Sequence, residues 1–248
     1  MARGAVLWGQ DQGLCGEARL MQSSLLAELN ELRASRLLVA TLTDLDQRRT
    51  ELVRDAEVVS SAFQPHVRQA FQTGKALYFV ADNRRYFINI YRPALRLKLV
   101  GAVHIAQHLA QMAIMTGFDV EVIDPRTAFA TPLRFQEAAL KAVWPEEAFR
   151  DSPLDRYTAV ATLTHDPKID EPALSLAMQS DCFYIGALGS RRTHAQRMEN
   201  LKKLGHNATD LARISSPIGL DIKAATPAEI AVAILAEIIQ KSNQATDR

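Results

Sequence analysis

Residues 97–124, LKLVGAVHIAQHLAQMAIMTGFDVEVID, constrain the fold of this chain more than any other stretch. An apolar run at 97–100 has the length of one buried strand and meets Gly101 at once. Ile105, Leu109 and Met112 then recur at spacings of four and three, which predicts an amphipathic helix. Gly117 stands where a helix C-cap favours a left-handed residue. Residues 118–123 form a second apolar run rich in β-branched side chains, closed by Asp124 about 23 residues after Gly101. Strand, glycine turn, helix, strand and acid, in that order, open a doubly wound α/β domain of the dinucleotide-binding type. The three small positions of the dinucleotide fingerprint fall on Gly101, Val103 and Ala106. Alanine is an accepted variant at the third. The branched Cβ of Val103 stands where a diphosphate would touch the backbone, so the pattern predicts the fold and argues against tight NAD binding.

A chain of 248 residues, 48% hydrophobic and 23% charged, is long enough for one large domain or two small ones. Its net charge of +1 gives no electrostatic reason to bind nucleic acid or a membrane. No apolar run has the length of a membrane span. The two cysteines, Cys15 and Cys182, are too few for a disulfide scaffold, which favours a reducing cytoplasm.

Residues 1–20 show no helical or strand period, are broken by glycines and lack the apolar core of a signal peptide. They are expected to be a non-native or disordered extension, with Met21 as the start and Cys15 without a role. Helix is expected at 23–33, strand at 37–42, a polar turn at 44–49 and a return strand at 50–53. A helix is expected over 58–71, ended by Gly74, followed by a hairpin of strands 76–80 and 86–91. Arg92-Pro93 is the expected linker. Beyond Asp124, strands are expected at 139–143, 157–163 and 182–185, with helices at 169–178 and about 193–204. The last helix carries a full start signal: Thr226 as cap, Pro227 at the first position and Glu229 at the third. The expected architecture is α/β, a Rossmann-like doubly wound parallel sheet at 94–248 behind a smaller N-terminal α+β domain at 21–93.

In such a sheet, ligands sit beyond the carboxyl ends of the strands. Four turns should converge there, carrying Gly101 and His104, Asp124 and Arg126, His165 and Asp166, and Gly186 to Arg192. The last is the sharpest. Gly186 and Gly189, three apart, let backbone N–H groups turn inward; Ser190, Arg191 and Arg192 precede a helix, and dipole and guanidinium both favour a phosphate or diphosphate. A plain glycine turn with solvated arginines is the competing reading. His165 and Asp166 read either as a general base with its orienting acid or as a structural turn in which Asp166 caps the next helix. His104 and His108 have a metal-compatible spacing but no third ligand fixed in sequence, which favours two ordinary helix histidines and no metal site. Asp124 reads as a ribose ligand or as a strand terminator. Cys182 reads as inert core in a buried strand.

Gly101-Ala102-Val103-His104-Ile105-Ala106-Gln107, Val122-Ile123-Asp124-Pro125-Arg126, Leu163-Thr164-His165-Asp166-Pro167-Lys168, Tyr184-Ile185-Gly186-Ala187-Leu188-Gly189-Ser190-Arg191-Arg192-Thr193-His194 and Pro217-Ile218-Gly219-Leu220-Asp221-Ile222, taken together, resemble the XdhC/CoxI family. The resemblance runs from Leu97 to the C-terminus and, by layout alone, back to Met21. It implies a chaperone, rather than an enzyme, that binds the molybdenum cofactor in its molybdopterin form, with or without an attached nucleotide. Such a chaperone protects the cofactor during sulfuration by a cysteine desulfurase and delivers it to an apo molybdenum hydroxylase such as xanthine or carbon monoxide dehydrogenase. A cytoplasmic protein and a homodimer fit that role. Many members carry a glycine-rich motif with a cysteine in the N-terminal domain; residues 58–65 here, VVSSAFQP, have neither, which removes any role resting on that thiolate. Two rivals remain: an NAD(P)-dependent oxidoreductase using the same crevice with His165 as proton donor, and an interaction scaffold with an empty crevice.

Overall fold

Two sheets of opposite character build the protein, one antiparallel and one parallel, in a computed structural model that describes residues 23–246. The expected extension at 1–20, with Cys15, and the start at Met21 lie outside the described residues. The chain divides into two compact units between Arg92 and Pro93.

The first unit runs α1 (Ser23–Ala34), β1 (Val39–Asp44), β2 (Arg49–Val53), α2 (Gln64–Thr73), β3 (Leu77–Ala81) and β4 (Arg84–Tyr91). Its antiparallel sheet has the order β2-β1-β4-β3. Period-two alternation puts Ala40, Leu42, Phe79, Tyr86 and Ile88 on one face, packed with Val67 and Ala70 of α2. Asp82 and Asn83 turn the β3–β4 hairpin with φ of 50° and 58°, as a two-residue turn of matching twist requires. The helix expected over 58–71 is shorter than its pattern suggested. Pro65 is tolerated only in a first helical turn, so α2 starts at Gln64. Upstream, Asp55 caps a separate 3-10 turn, Ala56–Val58, by accepting from the Glu57 amide at 3.0 Å.

The second unit continues with β5 (Arg96–Val100), α3 (His104–Met115), β6 (Asp119–Ile123), β7 (Ala139–Lys141), α4 (Pro145–Asp151), β8 (Thr158–Thr162), α5 (Pro167–Met178), β9 (Tyr184–Ala187), α6 (Arg191–Lys203), α7 (Ala208–Leu211), β10 (Ile214–Ser215) and α8 (Pro227–Thr246). All its strand pairs are parallel, in the order β10-β9-β8-β5-β6-β7. This is the dinucleotide-domain order read from its far edge, with the direction of winding reversing between β5 and β8. One face packs on α3 and α8 through Ala106, Leu109, Ala113, Ala231, Ile234 and Ile238. The other packs on α4, α5 and α6 through Phe149, Ile169, Leu174 and Leu201. The strands are therefore buried on both sides, which is why they read as continuous apolar runs. Lys98 breaks that run at a fully buried position; Glu121, opposite on β6, pairs with it, and its ammonium lies over the Phe149 ring.

Three expectations shift here. The fifth strand is Tyr184–Ala187, two residues later than 182–185, so Gly186 lies inside it and Cys182 before it. Cys182 is still buried, which pushes its thiol up to about 11 and keeps it an inert neutral group. The helix expected from about 193 starts at Arg191, because Ser190 caps it and accepts from the Thr193 amide at 3.2 Å. A sixth strand, β10, is too short to leave a period in the sequence. The signal at the start of α8 holds: Thr226 and Glu229 bond each other's amides reciprocally.

Candidate functional site

Parallel pairing of β5, β6, β8 and β9 carries all four expected turns to one edge of the sheet. At the first of them, Gly101 has φ +121°, and a Cβ there would lie 2.7 Å from the Thr164 methyl and 3.1 Å from the Thr164 amide nitrogen. Gly101 is the turn position of the fingerprint, and Thr164 of the β8 turn packs against it so closely that only glycine fits. The turn's amides are also occupied: Gly101 donates to the Ile123 carbonyl at 2.8 Å and Ala102 to Asp124 Oδ2 at 2.8 Å.

Asp124 is completely buried, and its carboxylate oxygens have room for about four hydrogen bonds. Oδ1 accepts from the Arg126 amide and Nε, both at 2.9 Å; Oδ2 accepts from Ala102 and from an Arg126 terminal nitrogen, both at 2.8 Å. Burial alone would raise this carboxyl, but the Arg126 side chain and the two amides outweigh it and hold Asp124 below the ordinary value. No lone pair is left for a ribose hydroxyl, so the ribose reading gives way: Asp124 fastens the first turn to Arg126.

The β8 turn corrects the base-and-acid reading as well. Asp166 caps α5, accepting from the Lys168 amide at 3.0 Å, and His165 is exposed with φ +62°. What holds His165 there is Asp170, which no sequence motif singled out. One Asp170 oxygen accepts from the Thr164 hydroxyl at 2.7 Å and the other from the His165 amide at 3.1 Å. Arg197 of α6, also missed, lies 3.6 Å from Asp170 and donates to the Leu188 carbonyl at 3.1 Å. Burial pushes the Asp170 carboxyl up, against the opposing pull of Thr164 and Arg197. A sequence signal for Arg197 did exist: it stands four residues before Leu201, on the buried stripe of α6.

At the end of β9 the chain turns at Gly189, φ +152°, a conformation that side chains rarely adopt. Ser190 caps α6, and Arg191 and Arg192 are its first two residues, both exposed. The Arg191 and Arg192 amides have no acceptor inside their own helix and remain available beside the two guanidiniums, while Ser190 takes the Thr193 amide. Residues 216–221 come close by. Lys223 first, and Arg191 more weakly, hold the Asp221 carboxyl below its ordinary value.

Gly186 contributes packing rather than an inward-turned amide. A Cβ on it would meet Ile218 Cδ1 at 2.5 Å and the Tyr184 hydroxyl at 2.6 Å. That hydroxyl donates to Glu237 at 2.6 Å, and the same carboxylate oxygen accepts from the Gly219 amide at 2.7 Å. Gly186→Ala is therefore expected to cost about 1–3 kcal/mol by overpacking. That corresponds to a fall in melting temperature of roughly 2–12 °C. Thermal unfolding followed by circular dichroism reads it, and an unchanged melting point would show that the 216–221 loop yields freely.

His104, the first residue of α3, stacks on His108 with ring centroids 5.1 Å apart. Among the described residues no group of three or more His, Cys, Asp or Glu is placed to hold a metal ion, and no helix is long and apolar enough to cross a membrane.

Sheet order and turn chemistry together define a Rossmann domain whose first glycine turn is packed by Thr164 and tied to Asp124. Over residues 97–238 the sequence matches the family described as "XdhC Rossmann domain", and the chain belongs to that family. It is 31% identical over 211 residues to the molybdenum cofactor insertion chaperone PaoD of Escherichia coli (strain K12), covering 85% of this chain and 57% of that protein. It is 36% identical over 155 residues to a probable subunit of xanthine dehydrogenase in Bacillus subtilis (strain 168), covering 62% of this chain and 45% of the relative. The chain thus spans about half the length of these relatives. A xanthine dehydrogenase crystal structure from Bacillus halodurans shares the fold, with a TM-score of 0.67 at 23% identity over 88% of this chain and 66% of that one.

Proposed function

We infer that this protein binds the molybdenum cofactor and hands it, as a non-catalytic chaperone, to an apo molybdenum hydroxylase of the xanthine or carbon monoxide dehydrogenase type in the cytoplasm. The observation that carries the reading is the contrast between the two glycine turns. Thr164 packs against Gly101, Asp124 takes the Ala102 amide and the branched Val103 stands at the diphosphate position, whereas the Gly189 turn offers the Arg191 and Arg192 amides and two exposed arginines. In this reading Gly189, Ser190, Arg191 and Arg192 seat the phosphate of a molybdopterin, with or without an attached nucleotide, and exposed His165 faces the same edge of the sheet. Asp166, Gly186, Gly101, Asp124 and Arg126 shape the turns, and His104 lies at the start of α3. The name of the Escherichia coli relative supports the cargo, and the name of the Bacillus subtilis relative supports the class of client. A cysteine desulfurase that sulfurates the bound cofactor, and a homodimer, belong to the same proposal.

Protein purified from a molybdate-replete host should carry pterin, released on denaturation and measured by fluorescence after oxidation. Absence of pterin under those conditions would overturn the cargo. The same preparation titrated with NADH and NADPH should show no saturation in the low micromolar range, since the branched Cβ of Val103 stands where a diphosphate would approach the backbone. Tight stoichiometric binding would instead favour the oxidoreductase.

A further inference from the structure

Two buried charges lie beneath the candidate site and have no part in seating the cofactor directly. The side chains of Asp170 and Arg197 are 1% and 5% exposed and stand 3.6 Å apart. Asp170 accepts from Thr164 and from the His165 amide, which fixes the β8 turn with His165 in the left-handed region. Arg197 donates to the Leu188 carbonyl, and its other terminal nitrogen lies 3.7 Å from where a Gly189 Cβ would stand. That nitrogen is buried without a hydrogen-bond partner.

A buried ion pair adds little stability over apolar residues of the same volume, and an unsatisfied guanidinium nitrogen subtracts from it. What this pair does provide is a link. One partner sets the turn that presents His165, and the other sets the turn that precedes α6. The backbone ties the two strands through the β8–β9 ladder, which the Leu188 amide extends by bonding the Thr162 carbonyl at 2.9 Å, but it leaves the turns beyond that bond to side chains.

We propose that Asp170 and Arg197 are positioning residues that hold the His165 turn and the Gly189 turn at one fixed spacing, so that a phosphate-bearing ligand seated on the second is presented to the histidine on the first. The proposal rests on the reading of the Gly189 turn as the anion seat. Geometry held this way acts through preorganisation, and a seat loosened by about 1 Å loses much of its affinity.

The test uses the full chain, inorganic pyrophosphate as probe, calorimetry for affinity and amide NMR for the two turns. Asp170→Asn/Arg197→Met removes both charges together, so no unpaired buried charge remains to unfold the protein. It should fold by circular dichroism, bind pyrophosphate at least about tenfold more weakly, and show shifted His165 and Gly189 amides without ligand. Arg197→Lys, which keeps the charge and loses the fork, should also weaken binding and move the His165 amide on the opposite turn; a residue that merely packs the core would leave that amide in place. Either variant binding pyrophosphate like the parent, with the His165 amide unmoved, overturns the proposal. Arg191→Ala/Arg192→Ala separates the two readings. If it abolishes binding while the buried-pair variants do not, only the positioning role fails. If it binds like the parent, or the parent does not bind pyrophosphate, the seat itself fails and the positioning role with it.

Discussion

Asp124→Ala is expected to destabilise the protein by about 3 kcal/mol, at the lower end of the range for breaking a buried ion pair. The lower end applies because Arg126, 32% exposed, is able to turn towards water once its partner is gone, whereas the buried Ala102 amide is not. For a protein of this size that is a fall in melting temperature of roughly 6–12 °C. Asp124→Asn should cost less, since an amide oxygen still accepts from Ala102. The pH dependence separates the two variants. The folded-state value of Asp124 is depressed, so its contribution is fully present above the ordinary carboxylate range and is lost as pH falls through the lower folded value. The stability gap between the parent and Asp124→Asn should therefore be constant near neutrality and close under acid conditions, below about pH 4. Thermal melts of both proteins across that range measure it. A gap that persists in acid would mean that the carboxylate charge contributes nothing to holding the turn. The variant also bears on function: freeing the Ala102 amide should not create an NAD site, because the branched Cβ of Val103 still stands at the diphosphate position.

The elements legible in the sequence were those with a period or a cap. The β5–α3–β6 unit announced itself through Gly101, Gly117 and the apolar spacing between them, and α8 through Thr226, Pro227 and Glu229. The β3–β4 hairpin was legible because Asp82 and Asn83 are the residue types that tolerate a left-handed turn. Gly186 misled because a glycine near another glycine reads as loop; it is paired within β9, and the absence of a side chain there makes room for Ile218, some thirty residues on, a contact that leaves no local trace. Arg191 and Arg192 were expected in a turn and lie in a helix, because a serine cap looks the same as a loop serine until its acceptor geometry is seen. Asp124 kept its importance and changed its partner. Asp170 escaped notice because burial of a charge depends on what lies across the sheet edge; Arg197 carried only the weak mark of its spacing to Leu201 on an otherwise charged helix.

The Gly189 turn carries the largest functional effects. Arg191 and Arg192 stand at the start of α6 with their guanidiniums in solvent, where helix dipole and fixed charge act on the same anion. A charge-assisted hydrogen bond to phosphate contributes roughly 1.5–3 kcal/mol, so loss of either arginine should weaken cofactor binding by about 10- to 150-fold. Screening makes the effect larger at low ionic strength than at high. Both side chains are exposed, so neither change should disturb folding.

Cofactor affinity of Arg191→Ala and Arg192→Ala against the parent, with circular dichroism as the folding control, tests the central claim most directly. Weakening of about tenfold or more in each folded variant is the result the account predicts. Two folded variants that bind the molybdenum cofactor as tightly as the parent would contradict it.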